Sequence, residues 1–133
     1  MRLAVVADTG PMYALVDPSD QYHARAQREL KRLGEEQRGI LVAYPLLMES
    51  YTLIMRRLGW DVARKWLEEI RAGAGMITPA ARDYEAAVRR VQSQPEGTVT
   101  LFDALLAGLS EHLRVPVWSY DRHFELMRVS VWR

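Results

Sequence analysis

Short apolar runs alternate with longer amphipathic stretches along this chain, and that alternation favours α/β architecture with a parallel sheet. Residues 2–7 form an apolar run with two adjacent valines, which is typical of a buried strand. Later runs predict four more strands, at 40–43, 76–78, 115–119 and 128–132. Between the strands, periodic apolar positions predict helices at 9–16, 21–37, 44–58, 60–72, 79–94, 101–113 and 121–127, with a polar loop at 93–98.

Composition narrows the classes of function. The 133 residues are 49% hydrophobic and 26% charged, which predicts one compact domain spanning 1–133. The absence of cysteine excludes disulfides, thiolate catalysis, iron–sulfur clusters and cysteine zinc sites. The longest nearly apolar run, at 40–48, is too short to span a bilayer, and the first apolar stretch stops at Asp8, which argues against a signal peptide. These features are compatible with a cytoplasmic location.

Four acidic residues follow or approach the ends of the predicted strands. Asp8 directly follows the first strand, and Asp121 lies two residues after the fourth. Asp103 opens the helix that leads into the fourth strand, and Glu49 lies in the helix after the second. Ligands of open parallel sheets bind beyond the carboxyl ends of the strands. We therefore expect these four side chains to meet at one edge of the sheet.

A cluster of four carboxylates is unfavourable in bare protein, because like charges raise one another's pKa. A divalent cation removes that penalty, and oxygen ligands without histidine or cysteine point to Mg²⁺ or Mn²⁺. The three histidines, His23, His112 and His123, have no metal-ligand spacing, so no catalytic role is assigned to them.

Each acidic residue also has a purely structural interpretation. Asp8 and Asp121 are placed to cap a turn or a helix. Asp103 follows Thr100 by three residues, which is the spacing of a capping box. Glu49 could be a solvated helix charge, although its neighbours are unusually apolar. Singly these signals are weak, and it is their joint placement at one edge that favours a functional site.

Four segments carry a resemblance to the PIN-domain nucleases, and in particular to the VapC-type toxins of toxin–antitoxin pairs. They are VVADTG, YPLLMES, LFDALLAGLS and VPVWSYDRHFE. The resemblance implies a three-layer α/β/α fold with a central five-stranded parallel sheet. It implies a metal-dependent endoribonuclease, a cognate antitoxin and a homodimer. Two departures are Gly10, where many relatives have serine, and Ser119, where threonine is common.

The resemblance also assigns roles to individual residues. It implies that Asp8, Glu49, Asp103 and Asp121 hold Mg²⁺ or Mn²⁺ and are the catalytic acids. Hydroxyls near a metal centre orient its ligands or its water, and the residues in those positions are Thr9 and Ser119. The expected reaction is in-line hydrolysis by a metal-activated water, which leaves a 5′-phosphate and a 3′-hydroxyl and does not use the 2′-hydroxyl.

The charge pattern is compatible with an RNA substrate. The 18 basic and 17 acidic residues nearly balance, so the chain outside the four proposed ligands is net basic. Most of the basic residues are arginine, which suits phosphate contact, although high genomic GC content would produce the same bias. Arg122, beside Asp121, is the first candidate for RNA binding.

Other functions stay open at this stage. The same fold could serve RNA maturation or decay without an antitoxin, or it could be a non-catalytic interaction module. The large apolar residues at 48, 55, 60 and 66 are expected to pack in the core or between helices, with a groove for a second copy or an antitoxin helix as the alternative.

Overall fold

Four parallel strands form the sheet of this computed structural model, which describes residues 3–95, 97 and 99–133. They are β1 (Ala4–Ala7), β2 (Gly39–Ala43), β3 (Gly75–Ile77) and β4 (Val117–Trp118). Their order across the sheet is β3-β2-β1-β4. The parallel α/β class predicted from the alternating pattern is therefore confirmed.

Helices connect the strands, as the periodicity predicts. Those in the described residues are α1 (Thr9–Val16), α2 (His23–Glu35), α3 (Tyr44–Leu58), α4 (Trp60–Gly73), α5 (Ala81–Ser93), α6 (Leu101–Leu113) and α7 (His123–Leu126). Their ends differ from the predicted ends by two residues or fewer. Gly59 separates α3 from α4 with a φ of 96°, a conformation that L side chains rarely adopt, so glycine permits the sharp turn there.

The prediction of a fifth strand is wrong. Residues 128–132 meet the sheet only at one bridge, between Val117 and Val131. Arg128 ends the last helical turn in the left-handed conformation, with a φ of 59°, so the chain leaves α7 on a turn rather than as a strand. Pro116 also shortens β4 because it has no N–H to donate. Residue 2 of the first predicted strand and residues 96 and 98 of the predicted loop lie outside the described residues.

The strand order changes direction between β1 and β4. The chain moves outward from β1 to β2 and β3, then returns past β1 to place β4 on its other side. Because parallel crossovers are right-handed, helices of the outward and return connections belong on opposite faces of the sheet. The contacts agree with this, since α1 touches α2 and α3, α3 touches α4, and α5 touches α6. The carboxyl ends of β1 and β4 therefore flank a topological switch point, where such sheets bind ligands.

The core is continuous around β1, which is buried along its whole length. Burial on both faces is what a parallel sheet requires. Trp66 packs in the core as expected, but Met48 and Trp60 do not, because 68% and 57% of their surfaces are exposed. No helix within the described ranges combines the length and the apolar character needed to cross a membrane.

Candidate active site

The four acidic residues singled out from the sequence line one cavity of about 760 Å³. Asp8, Asp103 and Asp121 come from the segments around the switch point, and Glu49 reaches the cavity from α3. The wall also contains the apolar rings of Phe102 and Tyr120, and residues Thr9, Gly10, Thr100, Arg122 and His123. The structure thus brings together side chains that are separated by up to 113 positions in the sequence (from Asp8 to Asp121).

Asp8 is the most deeply placed of these acids. It directly follows β1 and is only 7% exposed. The backbone N–H of Thr9 donates to Oδ1 at 2.8 Å, and the hydroxyl of Ser119 donates to Oδ2 at 2.6 Å. Burial, together with smaller contributions from the charges of Asp103 and Asp121, raises the pKa of Asp8 to about 6 against the lowering effect of these two hydrogen bonds. Asp8 is therefore a buried acid that accepts hydrogen bonds from neutral donors alone within the described part of the chain.

Asp103 caps helix α6 and also lies in the cavity wall. Its backbone N–H donates to the hydroxyl of Thr100 at 3.0 Å, and its Oδ2 accepts the N–H of Thr100 at 3.3 Å. This is the capping box of α6, which satisfies two N–H groups at the start of the helix. The same carboxylate lies in the cavity wall and is 6% exposed. The helix cap fixes the side chain in the position where it meets the other acids.

Glu49 and Asp121 complete the acidic lining from two directions. Glu49 lies at the cavity rim, where most of its side chain is open to solvent. The partial loss of its hydration there raises its pKa, and the charge of Asp103 raises it by a smaller amount. Asp121 donates its backbone N–H to the hydroxyl of Ser119 at 2.9 Å. Ser119 thereby connects the segment of Asp121 to the carboxylate of Asp8, the kind of orienting contact expected of it.

Thr9 differs from Ser119. Its backbone N–H contacts Asp8, but its buried hydroxyl has no hydrogen-bond partner among the described residues. The predicted orienting role of the Thr9 hydroxyl therefore stays a prediction. Gly10 beside it leaves ordinary contact space, because a Cβ there would lie 3.6 Å from the ring of Tyr120. The serine common at this position in relatives would fit without displacing the ring.

His123 is the residue of this site that sequence reasoning missed. Its Nδ1 lies 3.1 Å from Oδ2 of Asp103 and 3.1 Å from Oδ1 of Asp121. Candidate ligand atoms of the three residues all lie within 4.8 Å of one another. The available signal was its position two residues after Asp121, which places both side chains on one short turn. Arg122, between them, is exposed and lines the same cavity, and its role in RNA binding stays a prediction.

Comparison with known proteins adds the identity of the fold. No family model and no curated protein matches the sequence. Among solved structures, VapC20 of Mycobacterium tuberculosis, a toxin that cleaves the sarcin–ricin loop, is 21% identical, with a TM-score of 0.83 over 98% of this chain and 99% of that one. The chain has the PIN-domain fold.

Two further structures share this PIN-domain fold at lower identity. VapBC2 from Rickettsia felis, bound to a DNA fragment from its promoter, is 10% identical with a TM-score of 0.76, and the match covers 98% of each chain. FitAcB from Neisseria gonorrhoeae is 14% identical with a TM-score of 0.69, over 97% of this chain and 96% of that one. The matches extend over nearly the full length of the chain, so the fold resemblance is not confined to the sheet.

Proposed function

We propose that this protein is a metal-dependent endoribonuclease, the toxin of a toxin–antitoxin pair, and that it hydrolyses RNA phosphodiester bonds. The observation that carries the proposal is the convergence of Asp8, Glu49, Asp103 and Asp121 on one cavity at the switch point of the sheet. The PIN-domain fold shared with a sarcin–ricin loop cleaving toxin supports the same reaction class. We place the protein in the cytoplasm, where such a substrate is found.

The side chains of the cavity fit a divalent metal ion. Asp8 is buried, and no Lys or Arg of the described residues forms an ion pair with it. The charges of Asp103 and Asp121 raise its pKa, so its nearest charged neighbours add negative charge instead of offsetting it. Asp8, Glu49, Asp103 and Asp121 offer hard oxygen ligands, which suit Mg²⁺ or Mn²⁺. When bound, such an ion lowers the pKa of a water molecule and stabilises negative charge on a phosphate.

The chain itself supplies positioning and substrate contact. Ser119 fixes Oδ2 of Asp8 and the backbone of Asp121 with one hydroxyl. Phe102 and Tyr120 form apolar parts of the wall, which lower the local dielectric constant around the acids. The exposed guanidinium of Arg122 is placed to contact a phosphate of the RNA backbone. The expected products carry a 5′-phosphate and a 3′-hydroxyl.

The test is cleavage of a labelled structured RNA with Mg²⁺ or Mn²⁺, with EDTA, and by the Asp103→Asn variant. We expect cleavage only by the wild type with metal, and only slightly slower cleavage when the scissile nucleotide is 2′-deoxy. The Glu85→Gln variant, which removes an exposed acid of α5, serves as the matched control. Cleavage that persists in EDTA, or a 2′,3′-cyclic phosphate product, would contradict the proposal.

An antitoxin and a second copy of the chain are the proposed protein partners. Met48 and Trp60 expose large apolar surfaces on α3 and α4, and such surfaces favour protein contacts. Co-expression with any small gene encoded immediately upstream, followed by size-exclusion chromatography with light scattering, tests both partners. A monomer that co-purifies with no neighbouring gene product would instead favour a role in RNA maturation or decay.

A further inference from the structure

His123 lies between two acids of the proposed metal site. Its ring nitrogen Nδ1 is equidistant from Asp103 and Asp121, at 3.1 Å from one oxygen of each. Its backbone N–H also donates to Oδ1 of Asp121, at 2.9 Å. The two carboxylates come from different elements, since Asp103 lies in the first turn of α6 and Asp121 precedes α7. His123 is therefore the contact that joins the two segments at the cavity.

The backbone that carries the His123 ring is held in place by the neighbouring residue. The next residue, Phe124, is fully buried in the core and anchors the short helix α7. The side chain of His123 is 27% exposed, so one edge of the ring faces the acids while part of it remains open to the cavity. A ring held in this way loses little further conformational entropy when it orients its neighbours.

A shared donor has a clear physical effect here. Two carboxylates that approach each other repel, and each must give up hydration to enter the cavity wall. An N–H at Nδ1 donates a hydrogen bond to Oδ2 of Asp103, and its partial positive charge lies 3.1 Å from Oδ1 of Asp121, which accepts the backbone N–H of His123. The Nδ1–H is present both in the imidazolium and in the neutral ring protonated at Nδ1. The contact leaves the second oxygen of each carboxylate free of His123. Asp103 and Asp121 can thus be held at a metal-binding separation before the ion arrives.

We propose that His123 is a positioning residue for the metal site, and that its Nδ1–H group pre-organises Asp103 and Asp121 for the incoming ion. This inference rests on the proposed function, because it assumes that the acids bind a divalent metal. It differs from direct ligation, in which the Nδ1 lone pair would itself contact the ion. The two roles predict different responses to substitution and to the identity of the metal.

The choice of variants follows from the geometry. Asparagine carries its amide N–H₂ group three bonds from Cα, as Nδ1 is, whereas glutamine places it four bonds away. His123→Asn therefore keeps a donor where Nδ1 stands, and His123→Gln and His123→Leu remove it. His112→Leu is the control, because His112 is exposed near the end of α6, away from the cavity lining.

The experiment is calorimetric titration of the full-length wild type and the four variants with Mg²⁺ and, separately, with Ni²⁺. Loss of an orienting contact in a metal site weakens binding by about 10- to 100-fold. We expect that loss for His123→Leu and His123→Gln with both ions alike, recovery in His123→Asn, and no change in His112→Leu. Cleavage by the His123→Leu variant should recover at high Mg²⁺ concentration, because the defect is in metal capture.

Each other outcome overturns the inference. Unchanged affinity in His123→Leu would mean that the contact is only structural. A selective loss of Ni²⁺, which imidazole favours, in both His123→Leu and His123→Asn would mean direct ligation. Absence of Mg²⁺ binding by the wild type would remove the proposed function together with the inference, whereas binding by the wild type with equal binding by all variants removes the inference alone. If His123→Leu fails to fold, the comparison of the Asn and Gln variants decides.

Discussion

Two carboxylates of this protein are equally buried but are treated very differently by their surroundings. Asp8 is 7% exposed and Glu29, on α2, is 8% exposed. Glu29 accepts hydrogen bonds from the indole N–H of Trp118 at 3.1 Å and the hydroxyl of Tyr120 at 2.5 Å, and Arg25 pairs with it at 3.3 Å. Its charge is therefore compensated by the protein, whereas Asp8 receives only neutral donors and lies among other acids.

The difference separates a structural acid from a functional one. A buried charge persists when it is paired and hydrogen-bonded, and Glu29 meets both conditions through residues of α2 and the β4 segment. Glu29 in turn affects its partner Tyr120, because burial and then the hydrogen bond to Glu29 raise the pKa of the Tyr120 hydroxyl. Among the described residues Asp8 has no such pairing, so a cation from outside the chain is what would complete its environment. Burial alone does not distinguish the two residues, but the identity of their donors does.

The largest expected effect is on activity, and of the two acids compared, only replacement of Asp8 should cause it. Asp8→Asn is expected to lower kcat/KM for RNA cleavage by at least about 10³-fold, or about 4 kcal/mol of transition-state stabilisation. The reason is that the substitution removes one of the proposed metal ligands. Glu29→Gln, the matched control, should cut RNA within a few-fold of the wild type per folded molecule. A comparable loss in both variants would mean that the comparison does not separate function from structure.

The next largest effect is a loss of stability, and it is expected when Glu29 is replaced. Glu29→Ala leaves the indole N–H of Trp118 and the hydroxyl of Tyr120 without their acceptor, which costs about 1–3 kcal/mol for each donor, whereas the pair with the partly exposed Arg25 adds little. Urea denaturation in EDTA measures the change in the free energy of unfolding. Glu29→Gln should cost less because its amide oxygen still accepts. A loss below about 1 kcal/mol in the alanine variant would show that the pairing is only weakly stabilising.

Replacement of Asp8 in metal-free protein is expected to raise stability, whereas replacement of Glu29 lowers it. The pKa of Asp8 is raised from 3.8 to about 6 in the folded state, so the native state binds this proton more tightly than the unfolded state does. The fold therefore loses stability as the pH rises from about 3.8 to about 6, by up to about 3 kcal/mol in total at 1.36 kcal/mol per pKa unit, and the loss is complete above pH 6. Metal-free wild type should gain stability as the pH falls from 7 to 4.

The Asp8→Asn variant isolates that contribution. At pH 7 in EDTA its free energy of unfolding should exceed that of the wild type by about 2–3 kcal/mol, reduced by any weakening of the two hydrogen bonds to this side chain. Near pH 4 the difference should vanish, because Asp8 of the wild type is then protonated in the folded state. Saturating Mg²⁺ should reverse the order at pH 7, because only the wild type gains binding energy. Denaturation curves at both pH values provide the measurement. An advantage that does not change with pH would assign the difference to packing instead of charge.

These two acids also show how far the sequence alone could lead. Strand ends and their spacing were sufficient to predict that Asp8, Asp103 and Asp121 share an edge, because the geometry of a parallel sheet places its carboxyl ends together. The pattern could not identify Glu29 as buried. On α2 it stands beside Leu30, yet Leu30 is 41% exposed and Glu29 is not, because the tertiary contacts of Trp118 and Tyr120 decide which face turns inward.

The omission of His123 and the wrong prediction of a fifth strand have related causes. The hydrogen bond from His123 to Asp103 spans 20 positions in the sequence, so no local spacing predicts it. The apolar residues at 128–132 have a strand-like pattern, and Val129 and Trp132 are buried. The backbone turn at Arg128 limits their pairing to one bridge. The apolar pattern thus identified a segment that packs on the core, but it could not show how few backbone hydrogen bonds that segment makes with the sheet.

The smallest expected effect concerns Arg122, and it extends the comparison from charge inside the cavity to charge at its rim. In an Asp103→Asn background, which prevents cleavage, Arg122→Ala should weaken RNA binding by a few-fold and reduce the slope of log affinity against log salt by about one unit. Arg114→Asn is the matched control. It removes an arginine at the opposite edge, before β4, and asparagine tolerates its left-handed φ of 56°. Filter binding across a salt series measures both slopes. An equal reduction in the two variants would mean that RNA responds to the total charge of the protein, and an unchanged slope in Arg122→Ala would place the phosphate contact elsewhere on the cavity rim.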